Sequence, residues 1–125
     1  MYMDSQSATI NERPDVILDL NRLKMNCNGR SEVVNELLNH LQERSGPKWM
    51  AALNEGLQAA DSEMLREISH GMKGASATVF AWRISNLALE FEQLARDGKV
   101  DVLKGRMGEL KQAFDELKQW ISLNT

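Results

Sequence analysis

Apolar residues recur every three or four positions along most of the chain, which is the spacing of one face of an α-helix. Polar residues and glycines divide this pattern into six segments. The apolar positions of these segments are Val16, Leu20 and Leu23; Val34, Leu37, Leu38 and Leu41; Trp49, Leu53, Leu57 and Ala60; Leu65, Ile68, Met72, Ala75 and Val79; Ile84, Leu87, Ala88, Phe91, Leu94 and Ala95; and Leu103, Met107, Leu110, Phe114, Leu117 and Ile121. The sixth segment alternates steps of four and three, as the seam of a helical bundle does.

Turn-forming residues lie between these segments. The breaks and caps are Asn26-Cys27-Asn28-Gly29, Ser31 as a cap, Ser45-Gly46-Pro47, Asp61 or Ser62 as a cap, and Asp97-Gly98. Ser45-Gly46-Pro47 is expected to stop or kink the second helix, and Pro47 is tolerated there because it would lie in a first turn. The pattern contains no strand and no repeat. It therefore predicts an all-α protein, an antiparallel four-helix bundle with short accessory helices at the N-terminus.

Length, charge and cysteine content narrow the class of protein. A chain of 125 residues is long enough for one domain. Its 15 basic and 18 acidic side chains give a net charge of −3, which argues against nucleic-acid binding. No apolar run approaches the roughly 20 residues of a membrane span, and the polar residues 1–14 resemble a flexible lead-in rather than a secretory signal. The lone Cys27 favours a reducing cytoplasm, and we expect a monomer.

His70 is the strongest candidate for chemistry. It lies two positions from both Ile68 and Met72, so at about 100° per residue its side chain is directed away from the apolar stripe. Lys73 and Gly74 follow at i+3 and i+4 and are expected on the same exposed face. An outward imidazole with a cation beside it and a clear approach has what phosphoryl transfer from a protein partner requires.

The residues from His70 onward resemble the signature of histidine-containing phosphotransfer (HPt) domains, which reads roughly H-x-x-K-G, small residues and then an aliphatic one. Further similarity extends over about Asp15 to Leu123. It is carried by Val16–Leu23, Ala59-Ala60-Asp61, Arg83, Leu87, Glu90, Phe91, Glu92 and Gly98. One position departs from the family, which usually has glycine where this chain has Phe80. The resemblance implies that residues 15–125 form an HPt-like helical bundle.

The resemblance also implies a function. The protein would be an intermediate in a bacterial phosphorelay of two-component signalling. Its His70 would accept a phosphoryl group from a receiver-domain aspartate and pass it to another receiver aspartate. Lys73 would stabilise the phosphoryl charge, and the receiver would dock on a face containing Gly74, Arg66, Glu67 and Ala77. The partners would be response-regulator receivers, a hybrid sensor kinase receiver, or both. Magnesium is expected on the receiver, so this chain would need no cofactor.

The same residues are compatible with other interpretations. An HPt-fold adaptor that regulates a kinase or receiver by binding alone is the main alternative. A di-iron site using Glu67 and His70 lacks the further ligands that such sites need, so no metal is expected. The chain has no nucleotide-binding loop, which predicts a carrier without ATP-dependent kinase activity. Trp49, Phe80 and Trp82 are expected to pack in the core, although an exposed one near His70 would be a docking anchor. Both a free-standing protein and the excised C-terminal domain of a hybrid kinase fit the sequence.

Overall fold

The computed structural model describes residues 15–125, and the predicted lead-in, residues 1–14, lies outside the described residues. Helices and short turns make up the described part, which contains no strand. The helices are α1 (Leu20–Asn26), α2 (Ser31–His40), a π-helical segment (Leu41–Ser45), α3 (Gly46–Gln58), α4 (Ser62–Thr78), α5 (Trp82–Arg96), α6 (Val100–Gly105) and α7 (Met107–Asn124). The predicted all-α helical bundle is confirmed.

The second predicted helix does not stop at Ser45-Gly46-Pro47, although Pro47 does lie in the first turn of α3. Residues on both sides of the π-helical segment keep right-handed helical dihedrals, so α2 continues through it into α3. Proline has no N–H to donate to the preceding turn, and a wider π turn is one way for a helix to absorb that loss. Gly46 is buried here, and a Cβ on it would lie 3.0 Å from the Phe114 ring of α7. The expected stop or kink is therefore a local widening of one long helix.

Several helix ends differ from the sequence predictions. Asp61 caps α4, as predicted, by accepting a hydrogen bond from the Met64 N–H at 3.0 Å. Ser31 does not cap α2, since the cap position belongs to Arg30, which makes no side-chain capping bond. The sixth predicted helix is divided into α6 and α7 at Arg106, directly after Gly105, a weak helix former.

The first helix begins later than its apolar pattern suggested, at Leu20 and not near Val16. Residues 16–19 precede α1 and run along the connection between α4 and α5. The Asp19 N–H donates to the Phe80 carbonyl at 3.0 Å, and the Arg83 N–H donates to the Val16 carbonyl at 2.9 Å. Asp19 also caps α1 through the Arg22 N–H. These bonds fasten the accessory helix to the end of α4.

The buried face of α4 is rotated from the predicted stripe. Ala75 is exposed and Ile68 is half-buried, which corrects the sequence prediction. The positions that point inward are Leu65, Ser69, Met72 and Ser76, at spacings of four, three and four. Two of these are serines, which a count of apolar residues omits. The rotation turns Lys73 toward the flank of α4 that faces α5.

Small side chains let α4 and α5 pack closely. Ser69 and Ser76 of α4 are fully buried, as are Ser85 and Ala88 of α5. The Ser85 hydroxyl donates to the Lys73 carbonyl at 3.0 Å, which joins the two helices directly. Short side chains allow neighbouring helix backbones to approach. This close approach brings a carboxylate of α5 to the histidine of α4.

Candidate functional site

His70 lies in the middle of α4 with its side chain 63% exposed. Its Nδ1 atom is 2.9 Å from Glu92 Oε2 on α5. Within residues 15–125, Nε2 has no hydrogen-bond partner and is the ring nitrogen left open to an incoming group. The predicted outward direction of His70 agrees with this exposure.

Glu92 is the buried centre of the site, with a side chain only 4% exposed. Its Oε1 accepts from Lys73 Nζ at 2.8 Å, and its Oε2 is shared by His70 Nδ1 and an Arg96 guanidinium nitrogen at 3.3 Å. Burial raises the pKa of Glu92, but hydrogen bonds from Lys73 and His70 lower that pKa more, so it lies below its ordinary value. Glu92 is therefore ionised at neutral pH.

An ionised carboxylate can only accept hydrogen bonds, so the bond to Glu92 requires a proton on His70 Nδ1. In neutral imidazole one nitrogen carries the proton and the other carries a lone pair. The lone pair then belongs to Nε2, the nitrogen that faces away from Glu92. The arrangement presents an oriented nucleophile at the protein surface.

Lys73 is directed toward Glu92 and not freely into solvent. Its side chain is 20% exposed, and Nζ is held by Glu92 Oε1. The i+3 spacing predicted Lys73 on the same open face as His70. The rotation of α4 described above puts Lys73 beside α5 instead, although it remains one turn from His70. Its charge therefore contributes to the site through the carboxylate that also holds the histidine.

The remaining predicted site residues differ in their surroundings. Gly74 is exposed, and a Cβ built on it would meet no atom within 4 Å. Arg66 binds Glu63 through two hydrogen bonds of 2.7 and 3.1 Å and does not bond to His70. Glu67 is exposed and Ala77 is half-buried. The structure thus brings His70 and Lys73 together on one carboxylate and leaves open space at Gly74.

Sequence reasoning did not identify Glu92 or Arg96 as site residues. Glu92 was quoted only for the family resemblance. A usable signal was present, because Glu92 falls between Ala88 and Ala95 at spacings of four and three, on the buried stripe of α5. A charged residue on an apolar stripe needs a partner. The partners of Glu92 could not be identified from the sequence, because they depend on how α4 packs against α5.

The three aromatic residues expected in the core differ in burial: Trp82 is buried, whereas Trp49 and Phe80 are half-buried. Trp82 is 2% exposed and makes an edge-to-face contact with Phe80, with ring centroids 5.8 Å apart. Trp49 is half-buried against Phe114. Trp82 is therefore not an exposed docking anchor. The expected packing in the core is confirmed for Trp82.

Two wider features of the described part bear on function. Among residues 15–125, no group of three or more histidine, cysteine, aspartate or glutamate side chains is placed to hold a metal ion. None of the helices in that range is both long and apolar enough to cross a membrane.

Fold and site together define a class of protein: a helical bundle that presents an exposed histidine, oriented by a buried carboxylate, on one of its long helices. The family model described as Hpt domain matches residues 29–120, which run from just before α2 into α7. The chain belongs to the Hpt domain family. Comparison with curated proteins and with solved structures gave no match.

Membership of this family carries general properties. Hpt domains perform histidine phosphotransfer in phosphorelays. They are phosphotransfer carriers and not kinases, and they interact with receiver domains. The resemblance found in the sequence is thereby confirmed at the level of the family.

Proposed function

We propose that this protein is a phosphorelay intermediate that accepts a phosphoryl group on His70 from one receiver aspartate and passes it to another. The observation that carries the proposal is the 2.9 Å bond between His70 Nδ1 and the buried Glu92 carboxylate. This bond holds the proton on Nδ1 and leaves the lone pair on the exposed Nε2.

The transfer step follows from this geometry. The Nε2 lone pair attacks the phosphorus of the aspartyl phosphate, so that an N–P bond forms while the P–O bond to the aspartate breaks. The aspartate leaves as a carboxylate. The imidazole ring gains positive charge, keeps its Nδ1 proton and is stabilised by Glu92 at 2.9 Å. The reverse sequence delivers the phosphoryl group to a second receiver.

Charge near His70 supports the same function. A phosphoryl group adds about −1.5 to −2 charges, and a buried Glu92 without a partner would repel it. Lys73, at 2.8 Å from Glu92, offsets that carboxylate and lowers the cost of bringing the phosphoryl group to His70. Lys73 is thus proposed to stabilise phosphoryl charge, with Glu92 as its anchor. The receiver is proposed to supply the magnesium ion.

The receiver is proposed to dock over the exposed side of α4. Gly74 lies one turn beyond His70 and has open space above it, so a partner backbone can come close. Arg66 and Glu67 lie one turn before His70, and Ala77 lies two turns after it. This face would admit the receiver loops that surround an aspartyl phosphate. We place this exchange in the cytoplasm, on the sequence evidence of the lone Cys27.

A helical adaptor that works by binding alone is the competing function. It would need a docking face, but it would have no use for a buried carboxylate shared by an imidazole and two cations. Placing an ionised glutamate at 4% exposure is costly unless it is paired. The Glu92 arrangement therefore favours phosphotransfer over binding alone.

The decisive experiment compares His70→Gln with His40→Gln, a control that removes the protein's other histidine, which is also exposed. Each protein is mixed with a panel of receiver domains phosphorylated by radiolabelled acetyl phosphate. We expect acid-labile, base-stable label on the wild type and on the His40 variant, and none on the His70 variant. Label on His70→Gln at the wild-type rate would contradict the site. Receiver binding without label on any of the three proteins would favour the adaptor.

A further inference from the structure

Glu92 is bonded by two cationic side chains, Lys73 and Arg96, in addition to the His70 imidazole. The single negative charge of Glu92 balances only one of them. Arg66 is ion-paired with Glu63 at 2.7 Å and also interacts electrostatically with Glu67 and Glu92, so it adds no negative charge that would cancel this excess. Lys73, Glu92 and Arg96 together therefore carry one excess positive charge beside the His70 imidazole.

The two cations are held differently. Lys73 Nζ is 2.8 Å from Oε1, and its side chain is 20% exposed. Arg96 is 3.3 Å from Oε2, an oxygen that it shares with His70, and its side chain is 60% exposed. Within residues 15–125, Glu92 is the only ion-pair partner of Arg96. Because Arg96 is mostly exposed and its bond to Glu92 is longer than that of Lys73, the Arg96 bond is the weaker of the two, and Arg96 is the cation that can leave Glu92 at the lower cost.

We propose that Arg96 moves from Glu92 to the phosphoryl oxygens when His70 is phosphorylated, while Lys73 stays on the carboxylate. The guanidinium group matches phosphate oxygens through paired N–H donors better than an ammonium does. Its current position on the oxygen that bonds Nδ1 places it beside the same imidazole ring. Arg96 is then a phosphoryl-binding residue of the phosphorylated state. This inference rests on the proposed function.

The test uses phosphoramidate, a small phosphoryl donor, so that no receiver is needed. The N–P bond of the protonated donor breaks, ammonia leaves, and the Nε2–P bond of phosphohistidine forms. Wild type, Arg96→Gln, Arg96→Lys and Arg83→Gln are phosphorylated in this way. Arg83→Gln is the matched control, because it removes the same charge from the same helix at a residue that pairs with Glu116.

The measurement is the pH titration of the ³¹P resonance of phosphorylated His70. A cation on the phosphoryl group favours its doubly charged form, so the wild-type midpoint should lie below that of Arg96→Gln by roughly 0.2 to 0.7 pH units. Arg83→Gln should match the wild type, and Arg96→Lys should fall between wild type and Arg96→Gln. Melting curves check folding, and Arg96→Ala replaces Arg96→Gln if the latter does not fold.

The outcomes separate this inference from the proposed function. If wild-type His70 is phosphorylated but the midpoints of wild type and Arg96→Gln coincide, the role of Arg96 is overturned and the proposed function stands. Equal shifts in Arg96→Gln and Arg83→Gln would overturn it too, since they would reflect net charge alone. If the wild type forms no phosphohistidine at His70 while a free histidine control does, both proposals fail.

Discussion

Glu92 lies 2.9 Å from His70 Nδ1 and 2.8 Å from Lys73 Nζ, although 22 and 19 residues separate it from them in the chain. A single carboxylate thereby sets the tautomer of His70, the proposed nucleophile, and holds Lys73 beside it. Substitution at Glu92 should consequently affect both reactivity and stability, and the stability effect should depend on pH.

The prediction for Glu92→Gln concerns the free energy of unfolding. Hydrogen bonds to charged groups contribute about 1.5–3 kcal/mol, so the loss of the charge should lower stability by about 1–2 kcal/mol at pH 7. The pKa of Glu92 is lower in the folded protein than its ordinary value of 4.5. The ionised form therefore stabilises the fold above that ordinary value, and this contribution disappears as the pH falls through the lowered pKa.

Urea denaturation of wild type and Glu92→Gln at a series of pH values checks this expectation. The difference in free energy of unfolding between the two proteins should be largest at pH 7 and should decrease steadily as the pH falls. A difference that stays constant from neutral pH into acid would mean that the charge of Glu92 does not stabilise the fold. Transfer to His70 should also slow in the variant, because a neutral amide holds the Nδ1 proton less firmly.

At the scale of helices, the sequence predicts the helical bundle but not the rotation of the buried face of α4. The spacing of Leu65 and Met72 correctly places a long amphipathic helix around an outward His70. Ala75 was assigned to its buried stripe because serine is not counted as apolar, whereas Ser69 and Ser76 are the small residues that are fully buried there. The contact between α4 and α5 is long-range, so the partner of Lys73 could not be derived from helical periodicity.

Phe80, the residue that departs from the family pattern, follows α4 with a φ of 61°. That left-handed conformation costs L-residues about 1–2 kcal/mol and glycine almost nothing, which explains why glycine suits this position. Here the phenylalanine ring packs against Trp82 and lies 4.9 Å below the Arg22 guanidinium. Side-chain packing therefore offsets the backbone strain at Phe80, in the connection between α4 and α5, where the Phe80 carbonyl accepts the hydrogen bond from Asp19 before α1.

We predict that Phe80→Ala lowers the free energy of unfolding by about 2 kcal/mol, because it removes a half-buried ring and keeps the strain. Phe80→Gly should be more stable than Phe80→Ala by about 1 kcal/mol, since glycine adopts the positive φ freely. Chemical denaturation of both variants gives the comparison. In an ordinary helical position the order is reversed, so an alanine variant more stable than the glycine variant would disprove the backbone argument.

At the scale of the whole molecule, some helix faces of the bundle are packed against neighbours and others have no neighbour. Two helical glycines mark the difference. Gly56 of α3 is buried against α4, and a Cβ there would lie 2.8 Å from Leu65 Cδ2. Gly74 of α4 is exposed and a Cβ there would meet nothing within 4 Å. Glycine is thus required at Gly56 for packing, whereas the fold alone does not require it at Gly74.

The last prediction compares these two glycines. Alanine favours a helix over glycine by about 1 kcal/mol, so Gly74→Ala should raise the thermal midpoint. Gly56→Ala should lower it, because crowding a well-packed core costs typically 1–3 kcal/mol. Gly74→Glu should melt near the wild-type temperature but transfer phosphoryl groups from a receiver much more slowly, since the new side chain occupies the approach to His70. Phosphoramidate should still label His70 in that variant, because a small donor needs no clearance for a protein backbone. A Gly74→Glu protein that accepts label from receivers at the wild-type rate would show that the docking face lies elsewhere.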